Sequence, residues 1–290
     1  MDQSPDHSDE QPRAPRVVVG YDGSPDADAA LAWAVESAGP LRRPVEVVVV
    51  GSAMDPVVGH FREQEDRRVE RRRAAALDRL AELGVDGTVT VRRGPTVPEL
   101  LRASAGAAML VLGSSGHGLA AGSLTGSVSQ HAARHASCPV VTVRPARSTH
   151  AHRIVVGLDG SEESAKALRF ACERAQSTGE SVTAVVGFSS PGPAALGLDD
   201  ADANRRVRRR EDAERTAAAV CADCTSDFPD IDIVIEAIGV RPAKLLVDCS
   251  ATASLVVVGS RGRDAFTELL LGSVSQHVLQ HAECPVAVVR

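Results

Sequence analysis

The sequence predicts an α/β protein built of two tandem units, each a parallel sheet with helices on both faces. Three observations predict it. Val-rich runs such as Arg16–Gly20 and Arg153–Gly157 read as strands buried on both sides, and they alternate with helical patterns. The order of runs and patterns in the first half recurs in the second. A glycine-rich stretch follows the fourth run of each half with one spacing: Gly113–Ser127, GSSGHGLAAGSLTGS, and Gly259–Ser273, GSRGRDAFTELLLGS.

The elements follow in order. Residues 1–15, acidic and rich in Pro, lack apolar periodicity and are expected to be a disordered tail. The first unit, 16–144, opens with strand Arg16–Gly20 and the turn Tyr21-Asp22-Gly23-Ser24-Pro25. Ala27–Ala38 is an amphipathic helix with Ser24 or Asp26 as its N-cap. Strand Val45–Val50, a loop over 51–60, and the charged helix Phe61–Leu83 closed by Gly84 come next. Strand Thr88–Arg92, helix Pro98–Ala105, strand Met109–Leu112, the glycine stretch, helix Gly126–His135 and strand Pro139–Val143 complete the unit. Residues 145–152 read as a linker.

The second unit, 153–290, repeats this plan. Its elements are strand Arg153–Gly157, helix Ser164–Thr178, strand Val182–Val186, helix Asn204–Cys224, strand Ile231–Glu236, helix Ala243–Ser250, and strands Leu255–Val258 and Pro285–Val289. Asp22 to Asp159 spans 137 residues and Gly113 to Gly259 spans 146, so the second copy carries a net nine extra residues, assigned to the loop Ser189–Ala203.

Composition bounds the reading. The chain has 290 residues, 43% apolar and only 2% aromatic, so the cores must be Val, Ala and Leu. A net charge of -6 argues against nucleic acid as a partner, and no run approaches a membrane span. The first residues lack the basic and apolar regions of a signal peptide, and six scattered cysteines read as reduced thiols, so a cytoplasmic protein is expected. Cys221 and Cys224 have CxxC spacing within a helical stretch and read as ordinary helix residues rather than a redox or zinc pair. His131 with His135, and His277 with His281, have the spacing of a two-histidine metal face but no third ligand, so no metal site is expected. The arginine runs of the long helices, interleaved with carboxylates, read as solvated faces.

The glycine stretches carry the chemistry. Each has Gly, two residues, Gly, nine residues, then Gly-Ser, between a strand and a helix start. There, backbone N–H groups and the positive end of a helix dipole can hold phosphate, and a Cβ would obstruct the approach. Asp22 and Asp159 follow their strands by two residues and share that sheet edge. Ligand contact is the favoured role for them, against a turn residue bonding its own backbone. Arg261 and Arg263 stand where the first copy has Ser115 and His117. Phosphate pairing and a solvated role weigh equally for them; the first predicts a second site more tolerant of a triphosphate, and the nearby Asp264 and Glu268 count against it. No Walker motif, nucleophile elbow or HExxH is present, so the sequence supports binding and no catalytic residue.

These residues resemble the universal stress protein family in its tandem form. VVVGYDGS and IVVGLDGS look like its first strand and turn, GSSGHG…TGSVSQH and GSRGRD…LGSVSQH like its nucleotide motif, and SCPVVTVR and ECPVAVVR like its closing strand. The resemblance implies five-stranded, Rossmann-like (adenine nucleotide α-hydrolase-like) domains that bind ATP, with or without Mg2+. The implied first site comprises Gly20, Asp22, Val50, Gly113, Gly116, Gly126, Ser127, Val128 and Ser129. The second comprises Gly157, Asp159, Gly187, Gly259, Arg261, Gly262, Gly272, Ser273, Val274 and Ser275. The aspartates would flank the ribose, and Val50 and Gly187 the adenine. The resemblance also implies closing strands paired between domains or subunits, a homodimer, and an unidentified protein partner. The expected role is a nucleotide-dependent stress regulator or sensor. The alternatives are a slow ATP or adenylate hydrolase or transferase, or an interaction scaffold.

Overall fold

The computed structural model describes residues 15–52, 59–115, 126–144, 152–189, 200–263 and 271–290. The expected tail (but for its last residue), nearly all of the linker and most of the loop 189–203 lie outside the described residues.

The first half runs β1 (Val17–Gly20), α1 (Pro25–Ala38), β2 (Val45–Gly51), α2 (Gly59–Glu82), β3 (Thr88–Arg93), α3 (Thr96–Ala103), β4 (Met109–Gly113), α4 (Ser127–His135) and β5 (Val140–Val143). The second runs β6 (Arg153–Gly157), α5 (Glu162–Thr178), β7 (Ser181–Gly187), α6 (Asp200–Asp227), β8 (Ile233–Ile238), α7 (Pro242–Ser250), β9 (Leu255–Gly259), α8 (Ser273–His281) and β10 (Val286–Val289). Of the two N-cap candidates for α1, Ser24 is the cap, its Oγ accepting from Ala27 N at 3.2 Å. Ser161 does the same for α5, which therefore starts earlier than expected. The strand expected from Ile231 starts at Ile233, because the Ile231 N–H is spent closing a turn onto Phe228 O at 3.1 Å.

The strands form one sheet of order β3-β2-β1-β4-β5-β10-β9-β6-β7-β8. Each half is a parallel five-strand sheet, and the halves join through β5 and β10, which pair antiparallel with Val141 opposite Ala287. The expected closing-strand contact is thus made between the two domains of one chain. That pairing occupies the free edge of both strands, so β5 and β10 have no edge left to offer a second subunit.

Alternation along each strand divides the core between the two faces. Val17, Val19, Val47 and Val111 pack with α1, α2, α5 and α6, whereas Val18, Val48, Leu110 and Val140 pack with α3, α4, α7 and α8. Both layers run through both halves. Each fully buried valine contributes about 1.5–3 kcal/mol relative to exposure, which is how a chain so poor in aromatics sustains its core.

Side chains bridge the halves on each face. On one, Arg174 of α5 is 8% exposed, lies 4.3 Å over the ring of Trp33 of α1, and donates to Ser37 Oγ. Glu180 sits 3.6 Å from its Nε and is equally buried. On the other face, Arg144 follows β5 and Arg290 follows β10, and each reaches a helix of the opposite half.

The CxxC pair is less ordinary than its spacing suggests. Cys221 and Cys224 are buried and face Cys172 of α5, to which Cys224 is hydrogen-bonded. Burial pushes the Cys221 thiol up to about 11 and the Cys172 thiol up to about 12, so these two are packing groups held protonated.

Candidate nucleotide site

In both halves the first and fourth strands are neighbours at the centre of their sheet, so the loops that leave their carboxyl ends meet. A cleft opens there in each half. The first has a volume of about 360 Å³ and is lined by Gly20, Asp22, Val50, Gly113, Gly126, Ser127, Val128 and Ser129. Gly116, expected with them, lies outside the described residues. The second has a volume of about 1000 Å³ and gathers Gly157, Asp159, Gly187, Gly259, Arg261, Gly262, Gly272, Ser273, Val274 and Ser275.

The helix starts are built to leave donors open. Gly126 and Gly272 are the N-caps of α4 and α8, both extended, and neither has a side chain to cap with. The first intrahelical bonds reach Gly126 O and Gly272 O from Gln130 N and Gln276 N. The N–H groups of the preceding residues therefore have no partner within their helix, and they add to the positive end of its dipole. Ser127 and Ser273 are exposed at this mouth. Ser129 and Ser275 are buried and turned inward, donating to Gly113 O at 2.8 Å and Gly259 O at 2.6 Å. They fix the helix start to the strand end and have no hydroxyl proton left for a ligand.

The glycines do different work from one another. A Cβ on Gly113 would lie 2.8 Å from the Asp26 backbone carbon, and one on Gly259 would lie 2.9 Å from that of Glu163. These two glycines admit the first turn of α1 and α5 against the sheet, so packing alone already requires them. At Gly262 a Cβ would sit 2.3 Å from Asp159 Oδ2. At Gly272 nothing is nearer than 3.4 Å.

Asp22 and Asp159 make the turn contacts weighed for them and also stand on the cleft walls. Asp22 Oδ1 accepts from Ser24 N at 3.0 Å, and Asp159 Oδ1 accepts from Ser161 N at 3.0 Å, each closing its own turn. Asp159 Oδ2 also accepts from Arg263 N at 3.1 Å, which ties the turn to the glycine loop, and both aspartates line their clefts.

Several lining residues were not expected. Leu100 in the first cleft and Pro242, Leu245 and Leu246 in the second give apolar walls from α3 and α7. Arg72 of α2 lines the first, while Arg209, Asp212, Arg215 and Thr216 of α6 line the second. The i, i+3, i+7 spacing of Arg209, Asp212 and Thr216 marks one helix face, a signal present in the sequence inside a run that reads as solvated. Asp26 and Glu163, one at each equivalent position, were not singled out as site residues. Asp26 Oδ2 accepts from Ser114 Oγ at 2.7 Å, from Ser115 N at 2.9 Å and from Ser115 Oγ, whereas Glu163 Oε1 accepts from Arg261 Nη2 at 3.0 Å.

The paired histidines bond their own helices. His131 Nδ1 lies 2.7 Å from Ser127 O, and His281 Nδ1 lies 2.9 Å from His277 O. No helix among the described residues is long and apolar enough to cross a membrane.

Comparison with known proteins adds the following. The sequence pattern described as the universal stress protein family matches residues 14–144 and 150–290. A universal stress protein of Mycobacterium tuberculosis is 36% identical over 293 residues, covering 94% of this chain and 96% of that protein. One of Mycolicibacterium smegmatis is 31% identical over 292 residues, covering 94% and 96%. Among solved structures, a universal stress protein from Archaeoglobus fulgidus superimposes with a TM-score of 0.67 at 18% identity, covering 94% of this chain and 98% of that one, a likeness of fold.

Proposed function

The chain belongs to the universal stress protein family, and from that premise we propose that it is an ATP-binding protein with an adenine-nucleotide site in each cleft, acting as a nucleotide-dependent regulator or sensor of the stress response. The observation that carries the reading is the pairing, in each half, of an uncapped helix start with a cleft closed by a strand-end glycine and an apolar wall. The helix start suits phosphate and the apolar wall suits a base.

The residues present fit a nucleotide. Ser260 Oγ, 1% exposed at the start of the second glycine loop, has no hydrogen-bond partner among the described residues. Its counterpart in the first half, Ser114, is satisfied by Asp26. The fit to Mg2+ is poorer. Asp159 is held by the loop and turn, and Asp212 accepts from Arg215, so a metal ion would be carried by the phosphates themselves.

Binding rather than turnover is proposed. Among the described residues, the carboxylates of the second cleft, Asp159 and Asp212, are committed to protein donors, and neither is poised as a base to activate water on a γ-phosphate. Nucleotide occupancy would regulate by favouring one arrangement of the glycine loops over another.

The test is mass spectrometry of small molecules released from denatured purified protein, followed by titration and a turnover assay. Retained ATP with no turnover supports the proposal. ADP or AMP alone, with turnover, would replace it with an enzyme. No nucleotide released and none bound on titration would leave an interaction scaffold.

A further inference from the structure

The two clefts share a plan and differ in charge. Among the described residues, the first is lined by one arginine, Arg72, and one carboxylate, Asp22. The second is lined by Arg209, Arg215, Arg261 and Arg263 against Asp159 and Asp212. It is also the larger, at about 1000 Å³ against about 360 Å³.

The anion-binding donors are also disposed differently. In the first half Asp26 accepts the Ser115 N–H and the hydroxyls of Ser114 and Ser115. An internal carboxylate thus occupies the opening of the glycine loop and sets a negative charge beside it. In the second half the residue at that place, Glu163, is longer and turns to the Arg261 guanidinium. Its charge is compensated there, and the Ser260 hydroxyl is left buried without a partner among the described residues.

We propose that the two clefts are unequal in ligand class: the second is a polyphosphate site that selects a nucleoside triphosphate through Arg209, Arg215 and Arg263, and the first takes a nucleoside or its monophosphate. This rests on the nucleotide reading above and goes beyond it by dividing the ligands between the halves. Each added phosphate brings negative charge that guanidinium groups take in charge-assisted, forked hydrogen bonds. Arg261 contributes less than its place in the loop suggests, because Glu163 holds it, and Arg215 shares its guanidinium with Asp212, which leaves Arg209 and Arg263 as the cleft's arginines without a carboxylate partner among the described residues. Arg209 and Arg215 reach the cleft from α6 and Arg263 from the glycine loop, so two elements would supply guanidinium contacts to phosphate. In the first cleft a longer phosphate chain meets the Asp26 charge and a single arginine.

Calorimetric titration of the full chain with AMP and with ATP, at one fixed salt concentration, tests the proposal. The comparison is wild type against R209Q/R215Q/R263Q, in which all three changes lie at exposed positions. The expected result is a tight ATP site in the wild type that weakens ten- to hundredfold in the variant, the size of one or two lost charge-assisted bonds. AMP affinity is expected to change less than about threefold, which also reports that the variant is folded. A second variant, E163D/R261S, gives the second loop the chemistry of the first and should likewise lower ATP affinity with AMP binding kept. Unchanged ATP affinity in both variants, with AMP still bound, overturns the division of ligands and leaves the nucleotide reading standing. A wild-type protein that binds neither AMP nor ATP overturns both.

Discussion

Arg144 and Arg290 exchange helix ends across the pseudo-twofold. Arg144, at the end of β5, donates to Leu279 O and Ala282 O at the carboxyl end of α8 in the second half. Arg290, at the end of β10, donates to Ala133 O, at 3.1 Å, and Arg134 O at the carboxyl end of α4 in the first. A buried guanidinium answers carbonyls that a helix cannot satisfy itself, at the negative end of its dipole. Each site helix therefore has its mouth in its own domain and its far end held by the other. Arg144→Ala should lower stability by about 2–3 kcal/mol, since bonds to a charged donor are lost and the carbonyls stay buried. Arg144→Lys should recover only part, because an ammonium lacks the fork. Urea unfolding followed by fluorescence measures both, and an unchanged midpoint in Arg144→Ala would refute the capping role.

Trp33 is the sole tryptophan of the chain and lies under the Arg174 guanidinium at the junction of the halves. Arg174→Ala should change its emission and destabilise the protein by about 3–5 kcal/mol, because the buried Glu180 loses its counter-charge. R174A/E180Q should recover a large part of that loss. If the double variant is no more stable than the single, the penalty does not come from Glu180.

The glycines of one motif should respond differently to alanine. Gly259→Ala should impair folding, since its Cβ meets backbone at 2.9 Å. Gly272→Ala should fold, because 3.4 Å is ordinary contact and its extended backbone suits any residue. Gly262→Ala should fold and displace the Asp159 carboxylate, only 2.3 Å from the added carbon, with loss of nucleotide affinity. Thermal melting read beside nucleotide titration separates the three outcomes.

Alkaline pH should unfold the protein through its thiols. Burial raises Cys172 and Cys284 from 9.0 to about 12 and Cys221 to about 11. The unfolded chain then releases protons that the folded chain keeps, so stability is full below about pH 9 and falls as pH rises toward the folded values. Each thiol steepens the fall by about 1.4 kcal/mol per pH unit. Replacing Cys172 and Cys284 with alanine should flatten the slope of stability between pH 9 and 11, even if the variant is less stable at pH 7.

The sheet and the two clefts were legible because their signals are local and doubled. Valine runs ending in Gly20 and Gly157, and two glycine stretches of equal spacing, locate strand ends without any long-range information. What could not be read depends on which side chain meets which across the fold. Asp26 and Glu163 look like ordinary first-turn acids in their helices, and only the approach of β4 and β9 brings the glycine loops to them. Arg209 and Arg215 sit in a run whose charges balance on paper; the spacing marks a helix face, but nothing local says that this face turns toward a cleft rather than to solvent. The packing reason for Gly113 and Gly259 was hidden on the same ground: the atom a Cβ would strike belongs to a helix distant in sequence.

The antiparallel seam of β5 and β10 also sets a timetable. Val141 must wait for Ala287, so while the second half is being synthesised the first can hold its own helices but shows a bare strand of three valines and a threonine. At ordinary translation speeds that wait is on the order of ten seconds. During it the nearest β10 belongs to a finished neighbour or to another ribosome on the same message. The contact that makes the mature chain one sheet is thus the contact by which two newborn chains would entangle.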